Sequence, residues 1–159
     1  MTDSLTNYES PSMISDAATQ ASLDAFIART LHALSMPESG IAAYFADPDI
    51  VITGPGLDEC FIGPEMAQAG ARWMTTLGIR WEPKIIMSWM QGDIAWTQIR
   101  IDGHKTERGA PAVIPYLSTG IFRRKTDGWT WLYWGGSELQ KEPRMHGRRD
   151  GGRVAGPPR

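Results

Sequence analysis

Near Ile79 the apolar residues of this chain change their spacing once, from a helical repeat to strict alternation. Upstream, Leu23, Phe26, Ile27, Leu31 and Leu34 mark one helical stripe, with Ser22 placed as its N-cap. Pro37-Glu38 opens a second short helix carrying Ile41, Tyr44 and Phe45, which Asp47-Pro48 stops. An extended run, Asp49 to Thr53, ends at Gly54-Pro55-Gly56, and Pro64-Glu65 starts a third helix with Met66, Ala69, Trp73, Met74 and Leu77 on one stripe and Gly78 as its stop. Downstream, Trp81 to Gln91 and Ile94 to Asp102 form a hairpin across Gly92-Asp93, and Ile114 to Lys125 and Trp129 to Leu139 form another across Thr126-Asp127-Gly128. The polar stretch 103–113 is expected to be a loop covering a pocket. Helices first and an antiparallel sheet afterwards give an α+β domain whose three N-terminal helices cover one face of the sheet.

At 159 residues the chain is long enough for one self-sufficient core. The expected organisation is a mobile N-terminal arm over 1–19, a domain over 20–139 and a flexible basic tail over 140–159. Residues 141–159 hold six Lys/Arg against Glu142 and Asp150, although the whole chain carries a net charge of −2. No aromatics interleave with those charges, so nucleic acid is not the expected partner. The competing reading, a nucleic-acid accessory acting through the tail, predicts salt-sensitive binding lost with residues 141–159.

A single cysteine, Cys60, excludes an internal disulfide framework and is read as a small buried residue. No apolar run of membrane-spanning length and no secretory leader is found, so a cytoplasmic, membrane-free protein is expected. His32, His104 and His146 lack metal-ligand spacing; His104 reads as a solvated turn residue and His32 as structural. Walker, dinucleotide and nucleophile-elbow patterns are missing too, so neither a metal nor a cofactor is expected.

Alternation across the Gly92-Asp93 turn places Trp89 opposite Trp96, Met87 opposite Gln98 and Ile85 opposite Arg100, all on one face with Asp102. On the last strand it places Trp129, Trp131, Tyr133 and Gly135 together, with Thr130, Leu132 and Trp134 behind. An arginine and an aspartate two residues apart in an aromatic cavity would stabilise an anionic oxygen and move a proton. The same Arg-x-Asp is equally an ion pair at a strand end. Tyr133 and Tyr116 are candidate phenol donors, or core tyrosines with rim hydroxyls. Both sheet faces are apolar or aromatic and helices cover only one, so a homodimer through the sheet is expected.

The order of these elements, with Tyr44-Phe45-Ala46-Asp47, Ile50-Val51-Ile52, Gly63-Pro64-Glu65, Ile121-Phe122-Arg123-Arg124 and Asp127-Gly128-Trp129, resembles the NTF2-like superfamily, especially its SnoaL-like branch. The resemblance covers residues 20–139 and implies a curved sheet wrapped against three helices, a conical pocket open at one end, and commonly a dimer. Position by position, the general-base aspartate of ketosteroid isomerases falls near Thr53 and their acidic donor near Gly120, so that carboxylate pair is missing. Arg100-Ile101-Asp102 matches the Arg-x-Asp of limonene-epoxide hydrolases, whose second aspartate falls near Tyr133. SnoaL-like histidines fall near Tyr133 and Gly135.

The expectation is a cofactor-independent lyase or isomerase acting on a small aromatic or polycyclic compound, with lignin-derived diaryl compounds as one suggested class. Arg100, Asp102, Tyr133 and Tyr116 are the catalytic candidates; Trp73, Trp96, Gln98, Trp131 and Thr53 would shape the pocket. The alternative is a non-catalytic ligand-binding or dimerisation module of the same fold, in which Arg100 and Asp102 face solvent.

Overall fold

The computed structural model describes residues 13–138, so the expectations for the N-terminal arm before residue 13 and for the basic tail lie outside the described residues. Helix α1, Ala17–Leu34, starts earlier than Ser22 because Asp16 caps it, accepting the Thr19 amide at 2.9 Å. Hydrogen bonds from the Thr19 hydroxyl and then its amide hold the Asp16 carboxyl below the usual carboxylate range. Ser22 instead accepts the indole N–H of Trp129 at 3.1 Å, tying the helix to the last strand. The segment expected as a second helix is a five-residue 3-10 helix, Ile41–Phe45. It is confined between Gly40, in the left-handed region at φ 75°, and Asp47-Pro48, which leaves no room for α-helical turns. Among the described residues, two α-helices rather than three therefore cover the sheet, the second being α2, Pro64–Thr75.

Among the described residues, six strands form one mixed sheet: β1 (Val51–Thr53), β2 (Cys60–Ile62), β3 (Arg80–Gln91), β4 (Ile94–Glu107), β5 (Ala110–Lys125) and β6 (Gly128–Glu138), in the order β2-β1-β6-β5-β4-β3. Among these strands only the β1–β6 pairing is parallel. Stretch 103–113 is not a loop: β4 and β5 continue as a ribbon to the Arg108-Gly109 turn, and His104 lies on a strand. Polarity misleads there because both sides of a projecting ribbon meet water, as exposed Thr106, Glu107 and Pro111 do. Cys60 is exposed at the sheet edge, not buried.

Two register shifts decide which side chains meet the helices. One falls between Pro83 and Ile85, so Trp81 and Ile86 both face inward. The other pairs Phe122 with Trp131 but Ile121 with Tyr133, leaving Leu132 as the extra residue. The alternation expected for the last strand is therefore broken. Trp131 and Trp134 both turn inward and stack at 4.8 Å, while Tyr133 turns outward.

The core lies between α1 and the inner sheet face, with Leu23, Ile27, Leu31, Phe45, Phe122 and Trp131 fully enclosed. A polar clamp closes its edge: Arg123 on β5 donates to Asp47 at 2.9 Å and to Asp49 at 3.1 Å. Asp47, 2% exposed, also accepts the Asp49 amide at 3.0 Å. Asp47→Ala removes both interactions and leaves a half-exposed guanidinium that water can reach. We expect a loss of about 2 kcal/mol, read as a lowered urea midpoint with an unchanged slope.

Candidate functional site

Past the aromatic core, the inner face of the sheet is not filled. A cavity of about 190 Å³ remains between α2, the following Leu77–Ile79 segment and residues of all six strands. Ile52, Ile101, Met74, Trp81, Tyr116 and Trp134 form much of its wall. Tyr116 packs edge-on against Trp81 at 5.6 Å. A Cβ on Gly136 would lie 2.2 Å from the Tyr116 ring, so this glycine lets the phenol lie flat across β6. Gly135 serves Tyr133 the same way on the outer face, where a Cβ would lie 2.3 Å from the Tyr133 hydroxyl. The adjacent glycines thus hold one tyrosine on each side of the sheet.

Three expected site residues line the cavity: Tyr116, Trp73 and Thr53. Trp131 lies in the fully buried core, with its indole N–H donated to Thr30 at 3.1 Å. The pairs Trp89–Trp96, Met87–Gln98 and Ile85–Arg100 form as the two-residue turn implies. Their face, however, is the outer one. Arg100, Asp102, Gln98 and Trp96 point away from the cavity, and Gln98 donates to Thr119 at 2.7 Å. Tyr133 joins them on that face, 2.9 Å from the Thr53 hydroxyl. Arg100 is exposed and makes no ion pair among the described residues.

Sequence reasoning passed over Glu59 and Trp81. Glu59 precedes β2 and contributes the one carboxylate among the described lining residues. The Gly54-Pro55-Gly56 turn seen in the sequence was its signal, because that turn folds the chain back so that Glu59 meets the cavity. Its backbone closes the hairpin through Gly54 N–H to the Glu59 carbonyl at 2.7 Å. Trp81 carries a buried indole N–H that has no partner among the described residues. On the outer face, Glu82 accepts from His104 at 2.8 Å, with Arg80 and Lys84 nearby. The His104 hydrogen bond first, and then the Lys84 charge, hold the Glu82 carboxyl below its usual range. Among the described residues, no cluster of three or more His, Cys, Asp or Glu is placed to hold a metal, and no helix is long and apolar enough to cross a membrane.

The family model described as a SnoaL-like domain matches residues 17–140. No curated protein matches the sequence. Among solved structures, a candidate dehydratase of the NTF2-like family from Streptomyces avermitilis is 14% identical, with a TM-score of 0.69, covering 78% of this chain and 98% of that one. A candidate ketosteroid isomerase from Parabacteroides distasonis is 17% identical, with a TM-score of 0.60 and coverages of 84% and 96%. A calcium/calmodulin kinase II hub homology domain from Chlamydomonas reinhardtii is 18% identical, with a TM-score of 0.63 and coverages of 76% and 98%. At such identities the likeness shows the NTF2-like fold.

The Glu82–His104 contact has a pH signature. A depressed folded pKa contributes stability that is complete above the unfolded value, here 4.5, and is lost as pH falls through the lower folded value. His104→Ala should therefore be less stable than the parent at pH 6, and the gap should shrink on acidification below 4.5. Urea midpoints across pH 3 to 6 would show this; a gap that stays constant contradicts it.

Proposed function

Because the chain belongs to the SnoaL-like domain family, of the NTF2-like superfamily, we propose that it binds a small aromatic compound in its cone cavity and performs cofactor-independent lyase or isomerase chemistry on it. The supporting observation is the cavity itself: aromatic walls with a phenol, Tyr116, and a carboxylate, Glu59, among them. At about 190 Å³ it suits one or two rings better than a steroid-sized body, since an engineered cavity of about 150 Å³ accommodates benzene. Tyr116 is the group suited to donate a hydrogen bond to an oxygen that gains charge, and Trp73 borders the ligand, whereas the Thr53 hydroxyl is engaged by Tyr133 on the outer face.

A second reading draws on the outer face. Arg100 there stands apart from the cavity, paired across the sheet with half-buried Ile85 and Leu117, on a face that also carries half-buried Met87 and Trp96. Such a surface suits a second copy of the chain, with the fold serving as a ligand-binding or assembly module. The kinase hub homology domain among the structural relatives shares that fold. Arg100 and Asp102 then act at the subunit contact rather than on a substrate.

One panel separates the two. One- and two-ring phenols, lactones and diaryl compounds are titrated against tryptophan fluorescence, and every binder is assayed for conversion. The enzyme reading expects Tyr116→Phe to lower turnover about 10- to 1,000-fold with little change in binding, and Arg100→Ala to leave turnover intact. Binding without conversion by the parent, together with a dimer weakened by Arg100→Ala in sedimentation, would leave the module reading in place.

A further inference from the structure

We propose that the cavity selects ligands carrying a positive charge, a protonated amine on a one-ring aromatic body, with Glu59 as the counter-charge at its mouth. This rests on the cavity being the ligand site and adds the charge class of what enters it. None of the described lining residues is a lysine, arginine or histidine, and Glu59 is the one that carries a charge. Among the described residues, no cation or donor side chain pairs with its carboxylate.

The position of that carboxylate is built into the backbone. A Cβ on Gly54 would lie 1.7 Å from Glu59 Oε2, and one on Gly56 would lie 3.1 Å from Oε1. The side chain thus lies back over the turn in space that only a glycine at 54 leaves open. Glu59, Phe61 and Trp73 line both the cavity and the shallow groove beside it, so they mark its rim. Trp73 is 56% exposed there, an unusual place for an indole unless its face has a partner.

Ring faces are negative, and aromatic side chains with a nearby carboxylate attract ammonium groups. Deeper in, Trp81, Tyr116 and Trp134 offer aromatic surface to an uncharged ring. A ligand with an aromatic body inward and an ammonium at the rim satisfies both parts. The charge stays partly hydrated at the mouth, so its desolvation cost is small. A carboxylate ligand of the same shape meets Glu59 and the ring faces with like charge, and no cation in the wall offsets them.

Three matched compounds test this on the full chain: 2-phenylethylamine, 2-phenylethanol and 3-phenylpropionate, titrated near pH 7 by calorimetry and tryptophan fluorescence. The amine should bind about tenfold tighter than the alcohol, and the acid most weakly. Glu59→Gln should bring amine and alcohol together while leaving the alcohol's affinity unchanged. Gly54→Ala, which keeps the charge but displaces the carboxylate, should erode the same preference, with circular dichroism confirming the fold. Equal binding of amine and alcohol, or a preference that survives Glu59→Gln, overturns the charge assignment while the aromatic cavity stands. No binding by any of the three overturns it as well. An amine preference without conversion of any aromatic compound removes the catalytic reading and keeps this one.

Discussion

Trp131 joins the two layers of this fold, and the position of the cavity depends on it. Its ring is fully buried, 4.2 Å from Phe122, 4.8 Å from Trp134 and 5.9 Å from Phe45. A buried indole needs an acceptor for its N–H, and Thr30 supplies it from the C-terminal half of α1. That bond fixes where the helix crosses the sheet. The aromatic cluster fills the end of the inner face near the β5–β6 turn. At the opposite end, Tyr116 and Gly136 replace such bulk, and the cavity is the space left over.

Much of this was legible in the sequence. The change of period at Ile79 separates the helical half from the two long hairpins; the first turn falls at Gly92-Asp93, and the second is Thr126-Asp127 alone, with Gly128 already paired in β6 rather than part of a three-residue turn. What periodicity cannot show is a bulge. Each inserts one residue, and every side chain beyond it changes face. Counting by twos from Trp129 therefore put Tyr133 beside Trp131, whereas the extra Leu132 brings Trp134 there instead. Strands β1 and β2 have three residues each, too few for alternation to register, so the hairpin that carries Glu59 was visible only as a glycine turn.

The site was harder to read than the fold, for a related reason. Alternation says which residues share a face but not which face the helices cover. On β4, one set is Ala95, Thr97, Ile99 and Ile101, all buried; the other is Trp96, Gln98, Arg100 and Asp102. The uncharged, largely aliphatic set belongs under the helices on hydrophobic grounds, since an arginine beneath them would need a counter-ion there. Read only as a chemical pair, Arg100 and Asp102 suggest the opposite assignment, towards the cavity.

One strand thus serves two surfaces with opposite demands. The inner residues of β4 supply apolar wall, and its outer residues supply charge to a face that the cavity never meets. In the proposed reading, ligand charge is then set by something other than the long strands. The β1–β2 turn is suited to that task, because Gly54 and Gly56 bring a single carboxylate to the rim without altering the sheet. In the proposed reading, size selection resides in β4, β5 and α2, which are tied into the core, and charge selection in a six-residue turn at the sheet edge. A change at residue 59 should consequently alter which ligands are accepted while leaving the Trp131 cluster, and with it the fold, undisturbed.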